Sequence, residues 1–261
     1  MSRPLILVSN DDGVRAPGLR VLAEVAANFG EVLVCAPTEE RSGFSHAITL
    51  RSMLRSEATP ELGANWYAVS GTPVDCVYLA SLHLCERLPD LVLAGINPGY
   101  NLGADVFYSG TVGAAREGLI RGSSALAVSV EADAPAELAL PYVRKLIPML
   151  LERNAAGERH LLNLNIPGGA VARGLRVARL GHRRYQDTVE EREDLSGRSY
   201  FWIGGPPAPV EDRGDTDIGL VAQGFAALTP LELDITAPDI DAWTGWVRDT
   251  QAQAQADRST T

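Results

Sequence analysis

The sequence predicts an α/β fold: a Rossmann-like, mostly parallel sheet with helices on both faces, plus a C-terminal β-hairpin extension. Three observations lead there. Short apolar runs alternate with amphipathic segments through the first half of the chain, which is the pattern of βα units feeding a parallel sheet. Helix start and stop residues sit at the joints, as with Pro17 and Gly30 around "PGLRVLAEVAANFG". Two of the apolar runs end in Asp, Asn and Gly, the residues of sharp turns and of polar sites at strand ends.

In order, "PLILVS" is the first strand, and "NDDG" follows it with Gly13 supplying a positive φ. After the helix from Pro17, "EVLVCAP" is the second strand. A polar loop around Gly43 then leads into "HAITLRSMLRS". "WYAVSG" reads as a further strand, and Thr72 with Pro73 opens the helix "PVDCVYLASLHLCERL". "DLVLAGI" returns to the sheet. Beyond it, Asn97, Gly99, Asn101 and Gly103 make a loop too rich in turn formers for regular structure, and Ser109, Gly110 and Thr111 lead into the helix "VGAAREGLI". "SALAVSV" and "HLLNLNIP" are core strands flanking the helix around "ELALPYVRKLIPMLLER". Residues 1–180 thus form the α/β core and 181–214, polar with "YFWIGG" and several prolines and glycines, the hairpin extension. In 215–248 "GFAALTPLELDITA" resembles a final strand pair that completes the core or swaps to a partner, and 249–261 reads as a disordered tail.

Composition limits the functions open to this chain. With 261 residues and 46% hydrophobic content it can bury a large core, while a formal charge of −10 disfavours polymeric nucleic acid and anionic membranes as partners. The single lysine, Lys145, has no GK[ST] loop around it, which excludes a Walker-type nucleotide site. Cys35, Cys76 and Cys85 form no CxxC pair and lie in apolar contexts, as thiols of a reducing compartment do. No run has the length of a secretion signal or a membrane span, so a cytoplasmic protein is expected.

The strand-ending "NDDG" and the glycine-rich loop after "DLVLAGI" both follow parallel-type strands, so they converge on one edge of the sheet. There Asp11 and Asp12 are suited either to a turn or to holding a cation, and the helix start at Ser109–Thr111 either to ordinary capping or to an anion.

These stretches resemble the SurE family of metal-dependent survival-protein nucleotidases. The resemblance runs through "SNDDGVRAPG", "RSGFSHAITL", "SGTPVDCVYL", "GINPGYNLGADVFYSGTVGAAREG" and "LLNLNIPG", and more weakly through "DTDIGLVAQGFAALTPLELDITA". It implies that Asp11, Asp12, Ser42 and Asn97 ligate one divalent cation per subunit, Mg²⁺, Mn²⁺ or similar, and that Asn101, Ser109, Gly110 and Thr111 cradle phosphate. It also implies hydrolysis of nucleoside monophosphates in a homodimer or homotetramer. The chemistry of the ligand set agrees, because two carboxylates, a hydroxyl and an amide carbonyl are hard oxygen donors. A bound cation and a helix N-terminus could neutralise a phosphomonoester in an acidic protein. His46 stays open between general acid and packing, and Arg41 between a substrate contact and a solvated loop residue. Two other functions compete: a phosphatase using Asp11 or Asp12 as nucleophile, and a non-catalytic nucleotide-binding or scaffolding protein. The first is disfavoured because such enzymes separate their aspartates by one residue and need a later lysine near the site. No stretch offers an evident aromatic clamp for a base.

Overall fold

The computed structural model describes residues 3–169, 171–183, 185–186, 188–205 and 214–259. Its first strand, β1 (Leu5–Ser9), is buried along its whole length, as expected of a parallel strand covered on both faces. It is followed by α1 (Pro17–Ala26), β2 (Glu31–Pro37), β3 (Ser56–Ala58), β4 (Trp66–Val69), α2 (Pro73–Leu79) and β5 (Leu91–Pro98). After these come α3 (Gly110–Ile120), β6 (Ser124–Val130), α4 (Leu140–Ala155), β7 (Leu161–Ile166) and β8 (Leu175–Val177). The chain ends with β9 (Thr188–Glu193), β10 (Ser199–Gly204), α5 (Asp217–Ala222), β11 (Ala226–Leu231) and α6 (Ile240–Ser259).

Nine strands form one sheet in the order β3-β4-β2-β1-β5-β6-β7-β11-β8. The pairs from β4 through β7 are parallel, while β3 and β11 pair antiparallel with β4 and β7. The side-chain period of two sorts β1 between two cores: Ile6 and Val8 pack with α1 and α4, and Leu7 with α2 and α3. Connections run outward from β1 through β2 to β4, then reverse from β5 through β6 to β7. That makes the carboxyl ends of β1 and β5 the topological switch point, where open α/β sheets leave a crevice.

The doubly covered sheet and the separate β9–β10 hairpin agree with the sequence reading. Local differences have physical causes. The helix opened by Thr72 and Pro73 keeps its capping box but runs as α-helix only to Leu79, then widens to a π-turn over Ala80–Leu84. The expected final strand pair is the single strand β11, because Leu231 is the last residue with a partner on β7 and the chain then leaves the sheet. The tail is helical as far as Ser259 where the sequence suggested disorder. The chain divides into two compact units between Leu231 and Glu232.

Gly18 lets α1 lie close to β5: a Cβ there would come within 2.2 Å of the Ile96 carbonyl oxygen, which belongs to rigid backbone. Alanine is about 1 kcal/mol the better helix former, yet Gly18→Ala should destabilise the protein, by roughly 1–3 kcal/mol as overpacking does. Thermal unfolding checks this, with a lowered midpoint expected.

Candidate active site

The polar turn after β1 starts the site. Asn10 closes it by donating its side-chain amide to the Gly13 carbonyl at 3.1 Å. Gly13 sits at φ +102°, and a Cβ on it would approach Glu39 backbone to 3.3 Å. Asp11, 3% exposed, lies against the start of α3. The Thr111 hydroxyl donates to Asp11 Oδ1, and the Gly110 and Thr111 backbone amides also donate to Asp11. A Cβ on Gly110 would fall 2.8 Å from Asp11 Oδ2, so only glycine permits this approach. Ser109 caps the helix separately, accepting from the Val112 amide at 3.1 Å and keeping its own hydroxyl proton available.

Burial raises the Asp11 pKa despite these donors. Asp12 is pushed up to about 7, chiefly by burial and then by the charges of Asp11 and Glu40, and its Oδ2 is buried with no partner among the described residues. Two adjacent desolvated carboxylates, one with an unmatched oxygen, are what a hard divalent cation would stabilise.

Ser42 enters from an irregular loop that three elements hold down. The Arg41 amide donates to the Asp11 carbonyl at 2.7 Å. Asp75 of α2, itself buried, accepts from the Thr49 amide at 2.8 Å and the Thr49 hydroxyl at 2.6 Å. A Cβ on Gly113 of α3 would come within 2.4 Å of the Ser45 carbonyl oxygen. Ser42 itself donates to Glu40 at 2.9 Å, which leaves its oxygen lone pairs as donors to a cation. Asn97 gives its side-chain amide to the Gly99 carbonyl at 2.7 Å, so its Oδ1 is the atom left to act.

A cavity of about 860 Å³ opens at this point, lined by Asp11, Ser42, Asn97, Asn101 and Ser109 among others. Asp12, Gly110 and Thr111 are not part of its lining. The latter two face Asp11, to which both donate. His46 is bound to Glu117 at 3.0 Å, outside the lining, which favours its packing role. Arg41 pairs with Glu39 at 2.6 Å and lies over the Phe44 ring, also away from the cavity.

The structure adds residues that sequence reading missed. Tyr100, Asp105, Tyr108, Arg183, Tyr185 and Ile203 also line it, the last three from the 181–214 extension. Arg183 is the one lysine or arginine in the lining among the described residues; it pairs with Asp105, whose other oxygen accepts from the Tyr185 hydroxyl at 2.8 Å. The base of the extension is tied to the site by Asp217 of α5, which accepts at 2.8 Å from the amides of both Gly103 and Gly181. No local motif announces this, because the partners are about eighty residues apart in Arg183–Asp105 and Tyr185–Asp105. Tyr100 and Tyr108 of the loop after β5 thus meet Tyr185 of the extension at the cavity only in three dimensions.

The sequence pattern of the family described as Survival protein SurE matches residues 6–187. The chain is 44% identical over 239 residues to a Moorella thermoacetica protein named 5'-nucleotidase SurE, covering 89% of this chain and 91% of that one. It is 45% identical over 235 residues to the Edwardsiella ictaluri protein named 5'/3'-nucleotidase SurE, with 89% and 91% covered. In structure it is similar to the SurE protein of Aquifex aeolicus, with a TM-score of 0.78 and 33% identity over 94% of this chain and 100% of that one.

If the Asp11–Asp12 pair is a cation site, Mn²⁺ should raise the thermal midpoint of the wild-type protein. Asp12→Asn, which removes one of two crowded buried charges, should raise the midpoint in metal-free buffer and abolish the Mn²⁺ response. Differential scanning calorimetry with and without chelator reads both effects. A wild-type midpoint indifferent to Mn²⁺ would contradict the assignment.

Proposed function

The chain belongs to the survival protein SurE family, and on that premise we propose that it is a divalent-metal-dependent 5'-nucleotidase, hydrolysing nucleoside monophosphates to nucleoside and phosphate. The observation that carries the reading is the pair of buried Asp11 and half-buried Asp12, with an unmatched Asp12 oxygen, at the switch point of a chain so similar to proteins named nucleotidases. Asp11, Asp12, Ser42 and Asn97 would hold one cation per subunit through oxygen atoms. When bound, that cation supplies charge neutralisation of the phosphoryl group and acidification of water.

The chain's own groups do the rest. The start of α3 aims Asp11 and offsets part of the pKa rise that burial imposes, since Gly110, Thr111 and the Thr111 hydroxyl all donate to it. Ser109 offers a hydroxyl proton to a phosphate oxygen from the cavity wall, and Asn101 lines the wall beside it. Arg183, held by Asp105, presents a guanidinium to the same cavity. The tyrosines and Ile203 supply apolar surface for the nucleoside. In a single in-line displacement a water oxygen bonds to phosphorus as the bond to the nucleoside oxygen breaks.

A phospho-aspartyl route fits less well, because Asp11 is already held by three donors and Lys145 is exposed on α4, outside the cavity lining. Cytoplasmic residence is supported by three unpaired cysteines, and among the described residues no helix is long and apolar enough to cross a membrane.

Assembly into a homodimer or homotetramer through the hairpin is part of the same reading. Every residue of β9 and β10 is exposed, including Phe201 and Trp202, and exposed aromatic strands invite pairing. Light scattering should report a dimer or tetramer at micromolar concentration, and a double substitution of Phe201 and Trp202 by aspartate should shift it toward monomer. A wild-type monomer would refute this.

Phosphate release from a panel of nucleoside monophosphates should stop with chelator and return with Mn²⁺ or Mg²⁺, and Asp11→Asn should cost at least about 100-fold, more than loss of an outer-shell group. Ser42→Ala should be milder. A chiral thiophosphate substrate should show inversion at phosphorus, and added methanol should yield no methyl phosphate. Retention, or full activity without metal, would overturn the mechanism.

A further inference from the structure

The strand β7 carries two asparagines in its buried interior, and no turn, cap or surface explains them. Leu162, Leu164 and Ile166 point into the α1–α4 core, so Asn163 and Asn165 alternate to the opposite face, both with no exposed surface. A β-strand here needs only apolar side chains, and a buried amide costs stability unless its hydrogen bonds are met. Both amides reach out of the sheet to one residue of the site. Asn165 Oδ1 accepts from the Asn101 backbone amide at 2.8 Å, and Asn165 Nδ2 donates to the Asn101 carbonyl at 3.1 Å. Asn163 Nδ2 donates to that same carbonyl at 2.8 Å.

Both backbone groups of Asn101 are therefore bound by side chains, while its own amide meets Ser129 of β6 at 2.8 Å. The backbone partners leave the Asn165 amide only one orientation, because an N–H must face an acceptor and a C=O a donor. The loop between β5 and α3 has no regular structure before Gly103 to fix it otherwise. The arrangement is also uneven: Asn163 Oδ1 is buried with no partner among the described residues. A group held at a cost to stability, whose one bond goes to a cavity-lining residue, is explained by the site rather than by the sheet.

We infer that Asn163 and Asn165 are positioning residues for the hydrolysis, a two-amide clamp that sets where Asn101 stands in the cavity. This rests on the proposed nucleotidase reading. The clamp touches neither substrate nor cation, so its loss should appear in kcat rather than in nucleotide affinity, since displacing a wall group by about 1 Å can cost up to about 100-fold.

Two variants test it. Asn165→Asp keeps the shape and the oxygen facing the Asn101 amide but sets a second oxygen against the Asn101 carbonyl. Asn163→Leu removes one donor together with the unmatched oxygen. Each should lower kcat at least about ten-fold, with KM for a nucleoside monophosphate within about three-fold of wild type. Ser81→Ala, which removes another buried partnerless oxygen but lies in the π-turn after α2, outside β7, its neighbour β11 and the Asn101 loop, should leave kcat unchanged.

Hydrogen exchange at the Asn101 amide gives a readout independent of activity and should quicken in Asn165→Asp while β7 amides stay protected. If the wild type releases no phosphate from any nucleotide with Mn²⁺, the functional reading fails and exchange alone decides the clamp. Wild-type kcat in either folded variant, unchanged exchange at Asn101, or failure of both variants to fold, which would make the asparagines props of the sheet, overturns the inference.

Discussion

The seat of Asp11 on the first turn of α3 is the contact on which the rest of the site depends. A carboxylate 3% exposed would give up its charge in an apolar interior, and burial does raise its pKa. The helix start opposes this with two backbone amides and the Thr111 hydroxyl, all aimed at Asp11. The seat needs Gly110 on the helix side, where a Cβ would collide with the carboxylate, and it ties the end of β1 to the helix that follows β5. The two halves of the sheet thus meet at a charged contact, and Asp12 is carried beside it into a place that favours a cation.

Around that seat the site is made of loops, and the loops are rigid because buried polar side chains hold them from behind. Asp75 holds the segment that follows Ser42, the Glu117–His46 pair anchors it to α3, and Asp217 fastens Gly103 to Gly181. Asn163 and Asn165 do the same for Asn101. Each of these groups is costly in an interior unless satisfied, and Asp75, Asp217, Asn163 and Asn165 all bond backbone of an otherwise irregular segment. The fold gives up some apolar core to place a few oxygen and nitrogen atoms.

The extension has two faces of consequence. Its exposed β9–β10 ribbon suits pairing, while its base sends Arg183 and Tyr185 to Asp105 and Ile203 to the cavity. Asp217 fastens that base directly to the site loop, through the amides of Gly103 and Gly181.

Read alone, the sequence determined the parallel sheet, its double helical cover, the hairpin and the main candidate residues. Strand and helix periods are local, and "NDDG", "INPGYNLG" and "SGTVG" each follow a strand or open a helix in a way that short-range rules decode. The early end of α2 and the helical tail lay beyond it, since both turn on modest local energies. Only the tertiary structure decided which atoms of the candidates are free. Gly110 and Thr111 turn donors toward Asp11, and Asn101 has its backbone held by β7 while it lines the cavity. Likewise Arg183 and Asp105, 78 residues apart, share a wall that no stretch of sequence displays. The physical reason is that a residue's type sets which hydrogen bonds it can make, whereas the partners that use them up are brought near by the packing of distant elements.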